Sequence, residues 1–75
     1  MQCYSEFIDD AMRYVDERIL QLDSRSIDRQ RLHNKINVKI IANVKMLVGL
    51  SEEIAYIKID DIFKEELKDE IIRHH

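Results

Sequence analysis

Residues 32–50 read LHNKINVKIIANVKMLVGL, and the reading of this stretch decides the fold. At about 100° per residue, Ile36, Leu47, Ile40, Val44, Val48 and Ile41 fall on one arc of about 140°. Only Asn37 intrudes on that arc. Lys39, Asn43 and Lys45 lie opposite, together with Val38, Ala42 and Met46. A strand template fits nearly as well. Ile36, Val38, Ile40, Ala42, Val44, Met46 and Val48 are all apolar and all in phase, and isoleucine and valine favour strands. Length decides for the helix, because an unbroken strand of about 13 residues is far beyond the usual 5–6.

Working outward, residues 3–23 carry Tyr4, Ile8, Ala11, Val15, Ile19 and Leu22 at spacings of three and four, with Phe7 and Met12 beside them. That is an amphipathic helix, with Ser5 as its expected N-cap. Asp23-Ser24-Arg25-Ser26 breaks the pattern, and Ser24 or Ser26 is placed to cap the next helix, with Asp28 in its first turn. Gly49 suits a left-handed C-cap, and Ser51 an N-cap followed by Glu52 and Glu53. A third helix then carries Ala55, Ile59, Ile62, Phe63, Leu67 and Ile71, with a kink or break allowed near Lys58. Lys64, Glu65, Lys68 and Asp69 form its solvated face.

The expected architecture is therefore all-α, a single domain over 1–75 with helices at 3–23, 27–48 and 52–72. The alternative is α+β, with a hairpin pairing 36–48 with 54–59. Seventy-five residues lie near the lower limit for a chain that folds alone, so staples or partners are expected. Cys3 is the only cysteine, which excludes an internal disulfide. Association of two copies through the middle helix is the remaining expectation. No run reaches the roughly 18 apolar residues of a membrane helix. The N-terminus MQCYSEFIDD lacks the basic and greasy pattern of a signal peptide. Together with the lone cysteine this points to the cytoplasm. His74 and His75 belong to the gene or to a truncated purification tag.

The net charge of −3 conceals a pattern. Residues 1–23 hold six acids and two bases, residues 24–50 one acid and six bases, and residues 51–75 eight acids and four bases. Their charges of −4, +5 and −4 sum to −3. Acidic helices on either side of a basic one suit side-by-side packing.

Five groups invite a functional reading. Arg31, Lys35 and Lys39 recur every four residues, with Arg29 nearby and Asn43 extending the line. Such a line can bind phosphates or can answer acids on neighbouring helices. The overall acidity and the lack of an aromatic stacking platform favour the second. Ser51 to Ala55, then Ile59, Phe63 and Leu67, has some of the spacing of a helix-turn-helix. Its turn is one residue short, however, and Asp60, Asp61, Glu65 and Glu66 would face phosphates.

The pairs Asp9-Asp10, Asp60-Asp61 and Glu65-Glu66 point about 100° apart on a helix. Glu6 with Asp10 and Glu66 with Glu70 do share a face, read as a solvated one. Cys3, His33, His74 and His75 have no metal-ligand spacing, and no glycine-rich loop is present. Catalytic residues, cofactors and metals are therefore not expected, and the chain is read as no enzyme. Last, Val38, Ala42 and Met46, with Tyr56 and Ile57, exceed what one small core requires, and surplus apolar surface marks an interface. The functional expectation is a small regulator, adaptor or inhibitor that binds another protein, with nucleic-acid binding through Arg29, Arg31, Lys35 and Lys39 as the alternative.

Overall fold

A computed structural model describes residues 3–23 and 27–73. Three helices follow one another: α1 (Tyr4–Leu20), α2 (Arg29–Val48) and α3 (Glu52–Arg73). No strand occurs among the described residues, so the hairpin alternative is not adopted. The helices run up, down and up within a rod of 42 × 19 × 17 Å. The middle helix α2 packs extensively on both neighbours, which touch each other less.

The helix ends depart from the sequence expectation in instructive ways. Cys3, not Ser5, is the N-cap of α1, and it makes no side-chain capping bond. Asp28, expected inside the first turn of α2, is its N-cap, and its carboxylate accepts from the Arg31 N–H at 3.0 Å. The chain thus enters α2 two residues later than the apolar pattern implied. Ile27 uses the room to tuck its side chain into the core. The expected caps Ser24 and Ser26 lie outside the described residues.

Gly49 ends α2 at φ −78°, a right-handed conformation, so its left-handed freedom is not used. Ser51 does cap α3: its Oγ accepts from the Ile54 N–H at 3.4 Å and its carbonyl from the Ala55 N–H at 2.9 Å. α3 then runs unbroken past Lys58. No proline interrupts it, and the core residues Ala55, Ile59 and Phe63 keep one phase across the expected kink.

The core is built from Phe7, Ala11, Met12, Val15 and Ile19 of α1, Leu32, Ile36, Ile40 and Leu47 of α2, and Ala55, Ile59 and Phe63 of α3. This separates residues that a strand would have put together. Ile36 and Ile40 are inside, while Val38, Ala42 and Met46 are outside. Three apolar residues placed on core-facing stripes from sequence are instead exposed: Tyr4, Ile41 and Ile71. Tyr4 and Ile71 sit near helix ends, beyond the neighbours that would cover them, and Ile41 lies at the far edge of its arc.

The largest correction concerns Glu66 and Glu70. Their shared face is not solvated. Both are buried, Glu70 completely, in line with Ala55, Ile59 and Phe63 on the inner face of α3. A buried carboxylate needs a cation or hydrogen-bond donors to offset its lost hydration, and α2 supplies the cations.

Candidate functional site

The basic line of α2 faces these acids. Lys39 Nζ lies 2.6 Å from Glu66 Oε1. Lys35 Nζ lies 2.8 Å from Asp69 Oδ2 and 3.5 Å from Glu70 Oε1. Arg31 Nε lies 3.1 Å from Glu70 Oε1, a charge contact whose N–H is not aligned as a hydrogen bond. Cations every four residues on α2 meet acids spaced by three and four on α3, so the ladder follows directly from helical periodicity.

The electrostatics agree. The bond from Lys35 pulls the Asp69 carboxyl below its ordinary range, and the bond to Glu66 pushes the Lys39 ammonium above its own. The two outlying members of the line are also engaged within the chain. Arg29 Nη2 donates to the Leu22 carbonyl at 2.6 Å, and the Asn43 amide donates to the Lys39 carbonyl of its own helix. The reading of Arg31, Lys35 and Lys39 as partners for acids on a neighbouring helix thus describes where they sit.

A second polar cluster joins α1 to α3. The Tyr14 hydroxyl donates to Asp60 Oδ1 at 2.8 Å, and Arg18 Nη1 donates to the same oxygen at 2.5 Å and to the Tyr14 oxygen at 3.2 Å. The guanidinium rests 5.0 Å from the Phe63 ring centre, a cation–π arrangement. Tyr14 meets Tyr56 edge to face at 5.0 Å. His33 Nδ1, 2.5 Å from Asp16 Oδ1, ties α1 to α2. Sequence reading missed this cluster because its bonds join α1 to α3 and α1 to α2, and spacing within one helix does not show which residues meet across a seam. These groups bond to one another across helix seams and tie the three helices together.

What remains is apolar. Val38 is 64% exposed and Met46 50%, and Ala42 lies between them. Together with exposed Ile41 they cover about 140° of α2. Ile57 and Ile54 are exposed on α3, whereas Tyr56 is half-buried against Tyr14. Of the five residues expected at an interface, four therefore present free apolar surface, and Tyr56 spends much of its ring inside the bundle. Beside Val38 a groove of about 570 Å³ runs over the ion ladder, between Asn34 and Lys35 on one side and Glu65 and Asp69 on the other.

Among the described residues no three His, Cys, Asp or Glu side chains converge on a position that could hold a metal ion. Cys3 is exposed, and the Ser5 hydroxyl 3.2 Å away lowers its thiol pKa. His74 and His75 lie outside the described residues. No described helix is long and apolar enough to cross a membrane. No protein-family model, curated protein or solved structure matches the chain.

Proposed function

We propose that the chain is a small interaction protein without catalytic activity, a regulator, adaptor or inhibitor that works in the cytoplasm by covering a surface of another protein. It acts as a homodimer joined through the outer face of α2. The observation that carries this reading is the uncovered apolar arc of Ile41, Val38, Ala42 and Met46. A small chain that leaves such an arc in water gains by burying it against a partner. Two copies can do so symmetrically, because a two-fold axis lets one face meet itself.

Pairing through α2 leaves the outward faces of α1 and α3 free, and these carry most of the acids. They suit a basic partner surface, including one that otherwise holds nucleic acid. Direct nucleic-acid binding gains no support from the geometry, since Arg31, Lys35 and Lys39 lie against carboxylates of α3.

Sedimentation equilibrium tests the dimer. The natural protein is expected to move from one chain mass to two as concentration rises. Val38→Glu with Met46→Glu is expected to stay at one mass with its helical circular dichroism unchanged, since both positions face water. A natural protein that remains at one mass up to millimolar concentration would remove the dimer from the account.

A further inference from the structure

At the end of the bundle where α2 turns into α3, the three helices leave a bowl of about 310 Å³. Phe7 of α1, Leu47 and Val48 of α2, Leu50 of the turn, and Ala55 and Tyr56 of α3 line it. Asp10 and Glu52, both exposed, complete the lining. The volume is at the small end of ligand sites, room for one large side chain rather than a cofactor.

We propose that this bowl seats an apolar side chain, aromatic for preference, that a partner protein carries next to a lysine or arginine. The inference rests on the reading of the chain as a protein-binding module, and it is independent of the dimer face on α2.

Three observations converge on that chemistry. The accessible apolar surface comes from Val48, Leu50 and Tyr56, all half-buried, packed over the buried core residues Phe7, Leu47 and Ala55. Two aromatic rings and two carboxylates border the same space, a combination that attracts a cation flanking an inserted side chain. The surrounding chain is acidic as well. Residues 4–13 and 45–56 hold five acids (Glu6, Asp9, Asp10, Glu52 and Glu53) against two bases, Arg13 and Lys45.

The nearer base does not cancel this field. Arg13 pairs with Asp10 at 3.8 Å, but its side chain is largely in water, and such exposed pairs contribute little. The Tyr56 phenol registers the result. Burial pushes its pKa up, and the charges of Asp10 and Glu52 push it further in the same direction. Burial disfavours a charge of either sign, so only the part due to Asp10 and Glu52 favours an ammonium or guanidinium at the rim of the bowl. Charge complementarity therefore selects a basic, apolar-anchored segment over an acidic one.

The test is a titration of the ¹⁵N-labelled full chain with three capped pentapeptides: Lys-Lys-Phe-Lys-Lys, Glu-Glu-Phe-Glu-Glu and Lys-Lys-Ser-Lys-Lys. The first is expected to move the amides of Leu47, Leu50, Ala55 and Tyr56, and to bind about tenfold more tightly than either control. Asp10→Asn with Glu52→Gln, both on exposed positions, is expected to weaken it by a similar factor while helicity stays unchanged. Raised salt is expected to weaken it too.

Binding of the acidic peptide as tight as that of the basic one overturns the proposal. So does a first peptide that moves no bowl amide. If its shifts gather at Val38, Ala42 and Met46 instead, the bowl is wrong and the protein-binding reading stands. If no peptide moves any amide, the bowl is wrong, and sedimentation still decides the dimer.

Discussion

Changing Arg31 and Lys35 together to methionine is expected to cost the fold about 3 kcal/mol, because it takes two cations away from a buried carboxylate. Glu70 has no exposed surface, and Arg31 at 3.1 Å and Lys35 at 3.5 Å both face it. Removing one partner of a buried pair costs about 3–5 kcal/mol. The lower end applies because the Arg31 and Lys35 side chains stay 40% and 27% exposed, where water already screens them.

A domain of this size holds only about 3–5 kcal/mol, so urea titration should find the double variant near its midpoint without denaturant. Adding Glu70→Met should return most of the loss, because an apolar replacement of a whole buried ion cluster is often neutral or stabilising. A double variant as stable as the natural protein would mean that other groups or water satisfy Glu70 in solution.

Ile40→Ala is expected to have an effect of similar size by a different route. Ile40 is completely buried at the centre of α2. Truncation removes its transfer energy and leaves a cavity, together about 2–5 kcal/mol. At about 4–8 °C per kcal/mol for a domain this small, a loss of about 3 kcal/mol lowers Tm by roughly 12–24 °C. Val38→Ala, two residues away and mostly exposed in the single chain, is expected to change stability by less than about 0.5 kcal/mol when measured at concentrations below those at which two chains associate. The contrast separates the two readings of the middle stretch, since a strand would put positions 38 and 40 on the same face and in one environment. Equal losses at both positions would mean that the α2 face is covered in solution.

The fold was legible where periodicity and length agreed. The stripe Ala11, Val15, Ile19 and the stripe Ala55, Ile59, Phe63 name the inner faces of α1 and α3 without further help. In the middle helix Ile36, Ile40 and Leu47 did the same, although a strand template competed, because isoleucine and valine at every second position satisfy both periods. What the sequence could not display is how far each stripe extends. On α3 the phase that begins with Ala55 continues through Glu66 and Glu70, and a charged residue at a core phase reads as the end of a core.

The signal that could have found the buried acids was present in pairs. Arg31, Lys35 and Lys39 at four-residue steps match Glu66, Asp69 and Glu70 once α2 and α3 are laid antiparallel about the Gly49–Ser51 turn. Reading each helix alone left the cations as a stripe in search of a ligand. The interhelical contacts of Tyr14, Arg18 and Asp60 had no such signal. They depend on a rotation of α1 against α3 that no local pattern encodes.

The central claim is that the cations of α2 hold α3 inside the protein. A charge swap at Lys39 and Glu66 tests it most directly, with thermal unfolding of Lys39→Glu, Glu66→Lys and the double variant side by side. The two groups stand 2.6 Å apart, and each single change places like charges together across the seam. The account predicts that each single variant melts several degrees below the natural protein, and that the double variant recovers most of the difference. Three variants with additive losses, or singles that melt with the natural protein, would contradict it and return the basic line to the search for an external ligand.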